Sequence, residues 1–160
     1  MVALRLVGCV LIVASGYVIS RTRIKRDCTK VERLRSLLAL LRAIGSRIEN
    51  YCMPTDEILT SVPSELIIGC GYSAERLPSS VGELLEECPF SDDGEVYGFL
   101  CTFLSSLGTS YKSDELARCR LACEEVSAMI ERRCAENGKR QKTLPVLCLC
   151  ASAAIAIIIF

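Results

Sequence analysis

Leu144-Pro145-Val146-Leu147-Cys148-Leu149-Cys150-Ala151-Ser152-Ala153-Ala154-Ile155-Ala156-Ile157-Ile158-Ile159-Phe160 is the stretch on which the fold turns. Its seventeen residues carry no charge, and the basic run Lys139-Arg140-Gln141-Lys142 precedes it. As a helix it measures about 25 Å at 1.5 Å per residue, against a bilayer core of roughly 30 Å. Lys142 extends that reach by laying its alkyl stem along apolar surface while its ammonium stays in water. A terminal helix buried on a soluble domain needs a solvent-facing side, and this stretch has none. Pro145 is expected in the first turn, where its missing N–H costs little. The stretch reads as a transmembrane helix, residues 144–160.

A second apolar run, residues 2–20, is interrupted only by Arg5. Ala14-Ser15-Gly16 would suit cleavage of a signal peptide, but Arg21, Arg23, Lys25 and Arg26 follow the apolar run instead of preceding it. Leu6-Val7-Gly8-Cys9 resembles a lipobox, yet almost no apolar segment stands before the Cys. A retained membrane helix is therefore expected. Cytoplasmic flanks carry the Lys/Arg excess, and both runs turn their basic flank toward the middle of the chain. A cytoplasmic domain, residues 21–143, held at both ends by spans is the expectation.

That domain reads as all-α. From Thr29 to Cys52 the apolar positions Val31, Leu34, Leu38, Leu41, Ile44, Ile48 and Tyr51 are spaced three or four apart, one face of a helix. Pro54 ends it, because the residue before proline disfavours helical backbone. Short helices are predicted over Thr55–Val62 and Ser64–Ile68, with Gly69-Cys70-Gly71 as a break. Ser80-Val81-Gly82-Glu83 is a capping box that starts a helix at Val81, running to Cys88 before Pro89. Ser91-Asp92-Asp93-Gly94 is a loop with an acidic N-cap candidate for a helix over Glu95–Leu107, and Gly108 suits its C-terminal cap. Ser113 can cap a long helix from Asp114 to about Asn137, with the stripe Leu116, Cys119, Cys123, Val126, Ile130 and Cys134. Asn137-Gly138 is a natural stop or hinge before the membrane. No long period-two alternation suggests a sheet. The expected architecture is a membrane-tethered antiparallel helical bundle between two terminal transmembrane helices.

Charge divides sharply along a chain whose formal net charge is +0. Residues 21–47 hold nine Lys/Arg against Asp27 and Glu32, whereas 48–115 hold thirteen Asp/Glu against Arg76 and Lys112. Arg21, Arg23, Lys25, Arg26, Lys139, Arg140 and Lys142 suit the anionic inner leaflet of a lipid membrane. An acidic run is commonly just a solvated face. Its functional counterpart is a docking surface for a basic partner, with Glu83, Glu86, Glu87, Asp92 and Asp93 as the candidate residues.

Several chemistries lack their parts. The sequence has no His, which removes the commonest metal ligand and acid/base residue. Its 11 cysteines are odd in number, and Cys119 and Cys123 complete an apolar stripe, so packing accounts for them. No phosphate-cradling glycine loop or nucleophile–base pair accompanies the carboxylates. No enzyme, cofactor, metal or nucleic-acid partner is expected.

Two stretches carry a resemblance. Arg33-Leu34-Arg35 through Arg47-Ile48-Glu49-Asn50-Tyr51, with Met53-Pro54-Thr55-Asp56-Glu57-Ile58-Leu59, is similar to the leading helix and following turn of the stage III sporulation protein AB family of endospore-forming bacteria. Phe103-Leu104 through Leu107-Gly108-Thr109-Ser110-Tyr111-Lys112-Ser113-Asp114 resembles that family's motif before its last helix. Leu107, Gly108, Tyr111, Ser113 and Asp114 are the family-like positions. Lys112 stands where the family tends to have a second Gly, Ala117-Arg118 replaces an expected Gln, and residues 61–96 carry no match. The resemblance implies a non-enzymatic part of the channel between mother cell and forespore, with a domain similar to that of the type II secretion inner-membrane platform protein. It implies a mother-cell membrane seat, a secretion-type ATPase as cytoplasmic partner, and other membrane components of the same channel. A generic bacterial membrane adaptor unrelated to sporulation, and a redox or metal protein using its cysteines, are the competing classes.

Overall fold

The computed structural model describes residues 2–51, 55–73, 75, 77–78 and 80–159. Six helices follow one another: α1 (Val2–Tyr51), α2 (Thr55–Ser61), α3 (Ser64–Cys70), α4 (Val81–Glu86), α5 (Gly94–Ser106) and α6 (Lys112–Ile159). The fold is all-α, and among the described residues there is no strand. The chain forms two compact units, residues 32–130 and residues 1–31 with 131–160.

Residues 32–130 share one apolar core to which all six helices contribute. Leu34, Leu37, Leu40, Leu41, Ile44 and Ile48 of α1 are buried with Ile58 of α2, Ile67 and Cys70 of α3, Leu84 of α4, Val96, Leu100, Phe103 and Leu104 of α5, and Cys119, Ala122, Val126 and Met129 of α6. The buried stripe of α1 is broader than the spacing predicted, because Leu37 and Leu40 are enclosed while Leu38 is only half-buried. A helix covered from more than one side buries more than a single narrow seam. On α6 the enclosed face is likewise turned, to Glu115, Cys119, Ala122, Val126 and Met129, leaving Leu116, Cys123 and Ile130 at its edge. Small Ala122 and flexible Met129 were weaker signals than the neighbouring cysteines and isoleucine.

Local chemistry sets most helix ends. The Ser80 hydroxyl accepts from the Glu83 backbone N–H at 3.3 Å, so the expected cap starts α4. The break expected at Gly69 falls two residues later, since α3 continues to Cys70 and Gly71 closes it at φ 110°. That left-handed conformation is the one glycine adopts without a Cβ clash. Gly69 is required for another reason: a Cβ there would lie 2.7 Å from Ser36 Oγ, so its bare backbone lets α3 lie against α1. The Tyr72 hydroxyl donates to the Leu84 carbonyl at 2.7 Å, tying the segment after α3 to α4.

The two long helices differ from expectation. No boundary separates residues 2–20 from the amphipathic part of α1, because a switch from apolar to basic residues leaves backbone hydrogen bonding intact. Likewise α6 runs through Asn137-Gly138 without a stop, and its start at Lys112 puts Ser113 inside the helix and Pro145 in its interior, not its first turn. A single Gly costs only about 1 kcal/mol in a helix, too little to end one flanked by good helix formers.

In the other unit α1 and α6 run side by side. Arg140 Nη1 lies 3.8 Å from Asp27 Oδ2, and Gln141 Nε2 donates to Cys28 Sγ at 3.6 Å. Most side chains of the expected spans 2–20 and 144–160 that lie nearest the chain ends fall outside the described residues. Among the described residues no helix is long and apolar enough to cross a membrane.

Candidate functional site

The acidic candidates gather at one corner of the 32–130 unit, made by α4, the turn after it and the start of α5. Glu86 and Glu87 are exposed at the end of α4 and Asp92 is exposed in the turn, while Glu83 and Asp93 are half-buried. Buried Cys88 and Phe90 pin the turn between them. The turn is closed by backbone bonds from Ser91 N–H to the Cys88 carbonyl at 3.2 Å and from Asp93 N–H to the Phe90 carbonyl at 2.8 Å. Glu83 and Asp93 also have local duties. The first follows the capping serine, and the second is the N-cap residue of α5, although its side chain makes no capping hydrogen bond there. The outward-facing carboxylates are thus Glu86, Glu87 and Asp92, with exposed Glu95 beside them in the first turn of α5.

The family-like residues form a second constellation, at the joint between α5 and α6. Leu107 ends α5 and Gly108 follows at φ 83°. The Tyr111 carbonyl receives the N–H groups of Asp114 and Glu115, both at 3.0 Å, and the Tyr111 ring stands 85% exposed. Ser113 Oγ donates to Asp114 Oδ1 at 3.3 Å. A residue outside those family-like positions organises this joint. Glu115 is 5% exposed, and its Oε1 accepts from Gly108 N–H at 3.0 Å and from Ser110 N–H at 3.1 Å. Arg118 Nη1 donates to the Ser106 carbonyl at 2.9 Å, and Lys112 Nζ to the Glu49 carbonyl at 2.7 Å. A charged residue in register with Cys119, Ala122 and Val126 was the available signal.

A cavity of about 400 Å³ opens between α1 and α6 within the same unit. Leu41, Leu116, Cys119 and Cys123 give it an apolar wall, and Arg42, Arg120, Glu49 and Glu124 give it charges of both signs. Its thiols are not poised for chemistry. Burial pushes Cys119 up to about 11, with Cys123 and Glu115 nearby adding to the effect, and burial likewise raises Cys123 against the lowering influence of Arg42. Thiols held protonated are poor nucleophiles and poor metal ligands.

The same holds in the core beneath the acidic corner, where burial pushes Cys70 up to about 12 and raises Cys88. The described cysteines form no disulfide, and among the described residues no three His, Cys, Asp or Glu side chains group as a metal site.

The basic candidates Arg21, Arg23, Lys25, Arg26, Lys139, Arg140 and Lys142 all lie in the paired-helix unit and all are exposed. No family model, curated protein or solved structure matches the chain.

Proposed function

We propose that this protein is a non-enzymatic membrane scaffold of a sporulation channel, or secretion-like complex, that docks a cytoplasmic secretion-type ATPase to the membrane assembly. The observation that carries the reading is the α4–α5 corner, where Glu86, Glu87 and Asp92 face solvent on a turn anchored by buried Cys88 and Phe90. Fixed carboxylates steer and orient a basic partner without first paying to order the chain.

Two further features support it. The apolar residues 2–20 and 144–160, each flanked by Lys/Arg toward the middle of the chain, suit two membrane spans with residues 21–143 on the mother-cell cytoplasmic side. The resemblance of residues 33–59 and 103–114 to the sporulation family supplies the setting and the class of partner.

The test uses the full chain in detergent with the secretion-type ATPase from the adjacent gene. Wild-type protein is expected to capture the ATPase, and the triple variant Glu86→Lys, Glu87→Lys, Asp92→Lys to lose it at unchanged helical content. Capture that survives the triple variant removes the docking corner from the proposal. Depletion in the host is expected to arrest sporulation at the engulfed-forespore stage; normal spores would overturn the sporulation setting.

A further inference from the structure

The two helices of the 1–31/131–160 unit are held in a defined register. Contacts of Asp27 with Arg140 and of Cys28 with Gln141 place residue pairs whose numbers sum to about 168 at the same height. The four cations of residues 21–26 and the three of residues 139–142 therefore fall within a band about 12 Å deep at 1.5 Å per residue. Neither segment contains a carboxylate. All seven side chains are exposed, and Arg140 is the one that Asp27 holds.

The surface becomes apolar immediately beyond this band on α1 and already at its edge on α6, where Val146 and Leu147 stand level with residues 21–22. Tyr17, Val18 and Ile19 are 53%, 61% and 54% exposed, and Val146 and Leu147 are 60% and 66% exposed. Tyr17 lies on the boundary, with the Arg21 guanidinium carbon 5.9 Å from its ring centroid. An amphipathic ring beside a basic side chain is the arrangement favoured at headgroup depth.

We infer that the basic band is a collar that selects anionic phospholipid headgroups, gathering them around the paired helices where exposed apolar surface gives way to charge. The inference rests on the membrane reading proposed above and adds lipid selectivity to it. Charge complementarity identifies the occupant, because phosphate-bearing headgroups meet cations that two helices present within one continuous band. Nucleic acid would satisfy the cations but leave Val18, Ile19, Val146 and Leu147 unused.

The experiment reconstitutes the full chain into phosphatidylcholine vesicles that contain phosphatidylglycerol, and measures by electron spin resonance how strongly each spin-labelled lipid is immobilised. Phosphatidylglycerol should be favoured over phosphatidylcholine by about fivefold, the factor that roughly one headgroup–cation contact is worth. The preference should fade toward unity at about 1 M salt, where the screening length is near 3 Å. The variant Arg21→Gln, Arg23→Gln, Lys139→Gln, Lys142→Gln should reconstitute normally and lose the preference. A wild-type chain that reconstitutes with no lipid preference, or a preference that ignores salt, overturns the collar and leaves the scaffold standing. Failure of the wild-type chain to enter these vesicles overturns both. Binding of a single-stranded RNA oligonucleotide through these cations, without lipid preference, overturns the collar in favour of nucleic acid.

Discussion

Glu115 at the start of α6 reaches back to the chain it has just left. Its Oε1 accepts the Gly108 backbone N–H at 3.0 Å, and the Ser110 N–H at 3.1 Å, while its Oε2 is buried with no hydrogen-bond partner among the described residues. One carboxylate oxygen thus satisfies two donors that no helix would satisfy, and sets the angle of the turn from α5 into α6.

Glu115→Ala should therefore lower the stability of the 32–130 unit by about 1–3 kcal/mol, the cost of leaving partly buried donors unpaired. Glu115→Gln keeps an acceptor for both N–H groups and loses only the charge, so its cost should be about half. The urea midpoints of the two variants measure the difference. Equal losses would mean that the side chain fills space and does not hold the loop.

Gly71→Ala should cost about 1–2 kcal/mol for the left-handed backbone alone. Space adds to that penalty, since a Cβ would sit 3.1 Å from Arg33 Nε and 3.2 Å from Pro89 Cβ. A thermal melt of the variant should show an earlier transition than wild type. A melt that does not move would show that this turn relaxes freely.

Leu41→Ala and Leu121→Ala remove the same atoms from helices at opposite extremes of burial. Leu41 is 1% exposed and Leu121 is 63% exposed. The first substitution opens a core cavity and should cost about 2–5 kcal/mol. The second should stay within about 0.5 kcal/mol of wild type. Denaturant unfolding followed by circular dichroism checks both.

Alkali should unfold the helical unit through its buried thiols. The ordinary thiol value is 9.0, and burial holds Cys70 at about 12 and Cys119 at about 11. Above pH 9 the unfolded chain loses these protons while the folded chain keeps them. The stabilisation is complete below pH 9 and is lost as pH rises toward 11 and 12. Urea midpoints measured at rising pH should fall from about pH 9 onward in reducing buffer. Cys70→Ala should flatten that fall, and an equally steep fall in the variant would exclude Cys70 as its source.

Much of the architecture is legible one turn at a time. Apolar spacing of three and four residues marks the helical parts of 31–48 and 116–130, and Ser80 announces its helix through a bond to a backbone only three residues away. Proline and glycine positions divide the middle of the chain into short helices. These signals are legible because they join residues within about one helical turn, where chain connectivity alone sets who meets whom. The acidic corner is visible for the same reason: Glu86, Glu87 and Asp92 lie within a few residues of each other.

Tertiary structure decided what depends on partners far along the chain. The sequence contains Gly69 and Ser36 but not their approach, which makes the glycine a packing requirement, while the helix ends at Gly71. It contains Glu115 in a first turn, where a carboxylate ordinarily serves the helix dipole, but not its burial against the loop before it. It contains two basic runs more than a hundred residues apart, and only the contacts of Asp27 with Arg140 and of Cys28 with Gln141 bring them into one band. Sequence by itself determined helices, their apolar faces and the division of charge, because those follow from local hydrogen bonding and side-chain periodicity. The pairing of faces, and the depth at which charges meet, came only with the folded chain, because burial and register are properties of contacts between distant segments.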